Sequence, residues 1–153
     1  MTFQITGLDP APFAHLHALS DTQLETGGMR RVVVIEKPAA PCRVTLDDAE
    51  IGESVILLNY AHQPADTPYH QQGPIFIRES SSRFARAGAI PPALARRTLS
   101  LRGFDASHMM VEADLTEGAD AAAMIERFFA NPEVAYIHAH YARRGCFAAL
   151  IER

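Results

Sequence analysis

The chain has 153 residues, 48% of them hydrophobic and 21% charged, which excludes disorder as its overall class and suits a single domain over residues 1–153. A chain of that length buries roughly 70% of the surface its unfolded form exposes, enough for a core of its own. The formal net charge of −4 argues against nucleic acid as a partner, because such binders carry a basic face and usually a basic pI.

The opening residues lack the cationic stretch and apolar run of a secretory leader. No apolar run approaches the roughly 20 residues that cross a bilayer. The expectation is a cytoplasmic protein with no membrane partner and with Cys42 and Cys146 reduced.

Taken in chain order, residues 2–6 alternate and predict a short strand. Asp9 before Pro10 suits a helix start, and residues 10–19 are expected to form one or two helical turns. Ser20-Asp21-Thr22-Gln23 has the form of a capping box, and Gly27-Gly28 closes the helix it opens. The β-branched run 31–35 predicts a buried strand, and 42–46 a further short one. Residues 54–60 give the strongest strand signal, followed by a long polar loop over 61–73 and a strand over 74–78. Residues 80–88 have turn composition. Pro91-Pro92 opens a short helix to about residue 97, and 98–104 and 109–115 read as strands around the turn at Asp105-Ala106-Ser107. Met124, Ile125, Phe128 and Phe129 give 118–130 one apolar helical face, which Asn131-Pro132 stops. Strands over 134–141 and 146–151, joined at Arg143-Arg144-Gly145, predict a closing hairpin. Strands in runs, with the longer helix just before that hairpin, favour an α+β domain built on a mainly antiparallel mixed sheet.

Several segments together carry a family likeness: Pro41-Cys42-Arg43-Val44, Leu57-Leu58-Asn59-Tyr60 with His62-Gln63-Pro64, Thr67-Pro68-Tyr69, Gly73-Pro74-Ile75-Phe76-Ile77-Arg78-Glu79, and Ala135-Tyr136-Ile137-His138-Ala139-His140 leading into Ala142-Arg143-Arg144-Gly145-Cys146. In these the sequence resembles the bacterial family known as domain of unknown function 1203, over nearly the whole chain. Tyr141 departs from it, standing where the resemblance implies asparagine. The resemblance implies kinship and no reaction, cofactor or ligand.

Three groups of residues could carry chemistry. His138 and His140, two apart on a strand, point to one face and suit proton transfer or metal ligation, against the plainer reading of a polar strand face. The 60–70 segment gathers Tyr60, His62, Tyr69 and His70 where a strand runs into a loop, a frequent location for function. Arg43, Arg78, Arg102 and Arg143 supply guanidinium groups that match carboxylate and phosphate; the plainer reading is surface charge paired with acids. Cys146 beside the hairpin turn is a weaker candidate nucleophile. Asp47-Asp48 with Glu50 reads as a solvated acidic turn. There is no phosphate loop, dinucleotide fingerprint, HExxH helix, GxSxG elbow or Cys-x-x-Cys.

The expectation is a small-molecule enzyme or binding protein for an organic anion, with His62, His138 and His140 as acid–base groups and Arg43, Tyr60, Tyr69, His70, Arg78, Arg102 and Arg143 around the ligand. The alternatives are a noncatalytic homodimeric interaction module and a zinc-like site on the same histidines.

Overall fold

The computed structural model describes residues 2–79 and 82–153. Its strands are β1 (Gln4–Thr6), β2 (Arg30–Val33), β3 (Ser54–Gln63), β4 (Gln71–Arg78), β5 (Ala85–Ala87), β6 (Thr98–Phe104), β7 (Met110–Glu117), β8 (Tyr136–Tyr141) and β9 (Phe147–Glu152). Its helices are α1 (Asp21–Thr26), α2 (Pro92–Ala95) and α3 (Ala121–Ala130), with 3-10 segments over Ala11–Ala18 and Gly118–Asp120. The strands form a six-stranded sheet, β5-β1-β9-β8-β6-β7, and a three-stranded sheet, β2-β3-β4. Every ladder is antiparallel, so the class is α+β as the sequence predicts.

Local signals explain most of these elements. The Ser20 hydroxyl accepts from the Gln23 backbone N–H while the Gln23 side chain accepts from the Ser20 N–H, which fixes the start of α1. On α3, Ile125, Phe128 and Phe129 are buried against one face of the large sheet, where they meet Leu99, Leu101, Ile137 and Ile151. Arg153 closes the far end of α3, donating to the carbonyls of Phe129 at 2.9 Å and Val134 at 2.8 Å. Gly145, at φ 78°, supplies the left-handed turn between β8 and β9.

Five expectations need correction. The 31–35 run is no buried strand: β2 is an edge strand ending at Val33, with Val33 58% and Ile35 84% exposed. Its β-branched residues encode extended backbone, whereas burial depends on which sheet edge it occupies. Residues 42–46 form a buried turn held by isolated bridges, Pro41 to Asp48 and Cys42 to Phe76, because Leu46 takes a left-handed φ of 51° and breaks the extended run. The expected loop 61–73 is shorter, since β3 continues to Gln63 across a bulge after Tyr60 and β4 starts at Gln71. Asp48 is not solvated: it is 0% exposed and lies between Arg97, which donates to both of its oxygens at 2.6 and 3.0 Å, and Arg96 at 3.0 Å. Within 80–88, Ala85–Ala87 pair with β1 as β5, while Ser80 and Ser81 lie outside the described residues.

The 41–48 segment joins the two sheets. The Arg43 N–H donates to Phe76 O of β4 at 3.0 Å. Its guanidinium reaches the other sheet, where Nε donates to Phe147 O of β9 at 2.7 Å. Another guanidinium N–H donates to Pro41 O, and the group lies 5.0 Å from the Tyr141 ring centre. Gly7 packs against the same segment, and a Cβ there would sit 2.0 Å from Val44 O.

Two substitutions measure this junction. Arg43→Met strands the Phe147 and Pro41 carbonyls and should cost about 3 kcal/mol of unfolding free energy, on the scale of lost hydrogen bonds to a charged group. Asp48→Ala leaves two arginines without their shared acceptor and should cost about 3 kcal/mol, near the lower end for a broken buried pair because both arginines reach solvent. Urea denaturation of each variant is the check, and a loss below about 1 kcal/mol would contradict the structural role given to either residue.

Candidate functional site: a three-histidine cluster under the β3–β4 hairpin

The face of the large sheet away from α3 carries the polar residues. Directly opposed residues of an antiparallel pair share a face. The β6–β8 register sets Ser100 opposite His140, Arg102 opposite His138 and Phe104 opposite Tyr136. On the other side of β8, β9 sets Phe147 opposite His140 and Leu150 opposite His138. Alternation along two strands therefore builds a row of histidines, arginine and aromatic rings.

The tip of the β3–β4 hairpin covers this row. The bulge between Tyr60 and Gln63 breaks the alternation of β3, so His62 and Gln63 are both buried. His62 stacks on Phe147 at 5.1 Å with 8° between the planes. Its ring centre lies 5.0 Å from that of His140 and 6.0 Å from that of His138. The His138 and His140 rings are 6.4 Å apart. Gln63 Nε2 donates to the Tyr136 hydroxyl at 2.8 Å, which also meets His108 Nδ1 at 2.8 Å. The Tyr69 ring lies edge-on to Phe104 at 6.1 Å.

Hydrogen bonds set the tautomers. Gln71 Oε1 accepts from Arg102 at 3.2 Å and lies 3.1 Å from His62 Nε2, which must then carry a proton. His62 Nδ1 is left buried without a hydrogen-bond partner. His140 Nδ1 lies 2.9 Å from Gly145 O and donates to it, which leaves the Nε2 lone pair free in the neutral ring. His138 Nδ1 is buried and unpartnered, and no hydrogen bond is made by its other nitrogen among the described residues. Buried ring nitrogens without partners are rare enough to mark a position that a ligand or water completes.

Electrostatics keep the cluster uncharged. Burial, reinforced by His140, His62 and Arg102, pushes His138 down to about 3. Burial pushes His140 down to about 4, although Gly145 O favours its protonated form, and Arg102, His62 and Arg43 add to the fall. Burial also lowers His62, with its hydrogen bond to Gln71 opposing it. All three are neutral near pH 7, able to accept a proton or a hydrogen bond. Arg102 is lowered by burial, yet a guanidinium stays cationic at that pH. Its polar contacts are Gln71 and, at 3.5 Å, Ser100; it has no carboxylate partner among the described residues.

The other sequence candidates are distributed differently. Tyr69 borders the cluster. Tyr60 packs between Phe13 and Phe147, on the apolar side of the hairpin. His70 is exposed at the hairpin tip. Arg78 forms a two-pronged ion pair with Glu53, one contact at 3.0 Å. Arg43 is spent on backbone carbonyls, and Arg143 stands at the β8–β9 turn beside a separate cleft. The sequence reading included Gln63 in the 60–70 segment but passed over Gln71, Phe104, Tyr136 and Phe147. The matching alternations Ser100-x-Arg102-x-Phe104 and Tyr136-x-His138-x-His140 were a usable signal for part of that set. Among the described residues, no group of three His, Cys, Asp or Glu side chains is arranged to hold a metal ion.

Fold and site together define an antiparallel α+β protein with a buried, uncharged histidine cluster beside one uncompensated arginine. Residues 39–153 match the family described as "Protein of unknown function (DUF1203)", and the chain belongs to that family. No curated protein and no solved structure matches it. No helix among the described residues is long and apolar enough to cross a membrane.

The depressed histidines give a pH prediction. His138 and His140 bind protons more weakly folded than unfolded, so the unfolded chain holds the extra protons between about pH 6.5 and the folded values near 3 and 4. Their contribution to stability is complete above about pH 6.5 and is lost as pH falls toward those values. Carboxylates, with unfolded values near 4, add their effect mainly at lower pH. Urea midpoints should fall between about pH 6.5 and 5, and the His138→Gln/His140→Gln double variant should flatten that slope. An unchanged slope would show that these imidazoles are not held neutral by the fold.

Proposed function

We propose that the protein is a small-molecule enzyme or binding protein whose histidine cluster takes an organic anion. The observation that carries this reading is Arg102, a half-buried guanidinium beside three neutral imidazoles with no carboxylate partner among the described residues. The structural arginines have strong acceptors: Arg78, Arg97 and Arg127 meet acids, and Arg43 meets two backbone carbonyls. A carboxylate or phosphate of the ligand supplies the missing charge, and the fork of the guanidinium suits its geometry. His138 and the free His140 nitrogen then accept hydrogen bonds, or a proton, from the ligand's polar groups. Tyr69, Phe104 and Tyr136 form an aromatic border that suits an organic body larger than a bare ion. The reading takes the protein as bacterial and cytoplasmic, and its two free thiols suit a reducing compartment.

A homodimeric interaction module is the second reading, and one surface favours it. Val33 and Ile35 are exposed on either side of Val34, whose backbone bonds to Gly52 and Glu53 bring exposed Ile51 close. An apolar patch beside the unpaired edge of β2 is a surface that soluble proteins usually cover.

A thermal-shift screen of phosphates and small carboxylates, run beside short RNA and DNA, tests the first reading. A ligand at about one hundred times its dissociation constant adds roughly 2.7 kcal/mol of stability. Arg102→Ala should weaken that ligand by about 2–5 kcal/mol. Stabilisation by oligonucleotides alone, vanishing with salt, would overturn it. For the second reading, sedimentation velocity should show a dimer that Ile35→Glu dissociates; a monomer at every concentration refutes it.

A further inference from the structure

A cleft lies beside the β8–β9 turn, on the side of Tyr141. Its volume is about 600 Å³, and five arginines line it: Arg43, Arg96, Arg97, Arg143 and Arg144. Two carboxylates, Glu36 and Glu117, share the wall, and Glu117 is engaged by the Thr98 hydroxyl at 3.0 Å. Arg96 and Arg97 are tied to Asp47 and Asp48 behind them. Arg143 and Arg144 are exposed on the turn, and neither has an ion-pair partner among the described residues.

Tyr141 stands in this wall. Its ring is flanked by two guanidinium groups, with Arg43 at 5.0 Å and Arg97 at 5.1 Å from its centre. The side chain is only 5% exposed, yet its hydroxyl has no hydrogen-bond partner among the described residues. A buried phenol O–H without an acceptor is costly unless something else supplies one. An oxyanion in the cleft would supply it, and would give Arg143 and Arg144 the counter-charge they lack.

We propose that this cleft is a second binding site, for a small multiply charged oxyanion such as a diphosphate or a polycarboxylate. Arg143 and Arg144 bind its charge from the turn, and the Tyr141 hydroxyl donates to one oxygen from the wall. More than one negative charge is needed to engage both guanidinium groups that face the opening, against the repulsion of Glu36 and Glu117. The site is independent of Arg102, which lies on the histidine face.

Cys146 provides a local reporter. It lines the cleft and is partly exposed, whereas Cys42 is 0% exposed. Disulfide-exchange labelling of the native protein should therefore modify Cys146 selectively. Pyrophosphate and citrate, added at ionic strength matched with sodium chloride, should slow that labelling in a saturable way and raise the melting temperature. Arg143→Gln/Arg144→Gln should weaken the anion by at least about tenfold while leaving the unliganded melting temperature unchanged. Tyr141→Phe should weaken it less, and Arg102→Ala should leave it unaltered even if the histidine-site reading fails. The wild-type labelling needs no variant to fold. Absence of saturable protection by both anions would overturn the proposal. So would stabilisation without protection, protection that survives Arg143→Gln/Arg144→Gln, or protection by short oligonucleotides alone that disappears with salt.

Discussion

A buried guanidinium holds the two sheets in register. Arg43 is only 2% exposed, and its backbone and side chain bond to opposite sheets, Phe76 O on β4 and Phe147 O on β9. Burying a cation is expensive unless each donor finds an acceptor. Here backbone carbonyls and the face of Tyr141 replace water. Neither sheet can slide without stranding that charge. Because Phe147 is fixed in this way and His62 stacks on it, the geometry of the histidine cluster depends on the same contact.

The arginines of this chain show how one side chain serves different ends. Arg97 grips a fully buried carboxylate with two donors, and Arg78 does the same with Glu53 at a half-buried position. Those groups are neutralised, and their cost is offset locally. Arg102 is given only an amide oxygen and a distant hydroxyl, and the turn arginines Arg143 and Arg144 have no ion-pair partner among the described residues. The protein thus holds structural cations whose charge is met and others left available, Arg102 beside the histidines and Arg143 and Arg144 at the cleft.

The β8–β9 hairpin connects the two candidate sites. Gly145 O accepts from His140 Nδ1, and Gly145 closes the turn that carries Arg143 and Arg144. His140 and Tyr141 are consecutive, so strand alternation sends one toward the histidine cluster and the other toward the arginine cleft. The tautomer of His140 and the conformation of the turn are linked through a single hydrogen bond.

The sequence by itself determined the strands over 54–60 and 98–104, the capping box at Ser20, the apolar face of 118–130 and the closing hairpin, because each follows from residues within a few positions of one another. It also put His138 and His140 on one face, since a period of two is a property of the strand alone. Only the tertiary structure decided that His62 joins them. That depends on a bulge after Tyr60 and on a contact between sheets, which local pattern does not encode. It likewise decided that Asp48 is buried, that β2 is an edge and that Arg43, Arg102 and Arg143 stand in three separate surroundings. The physical reason is the same in each case. Residue type sets what a charge or a β-branched side chain can do, but its burial and its partner are set by chain segments brought together from far apart in sequence.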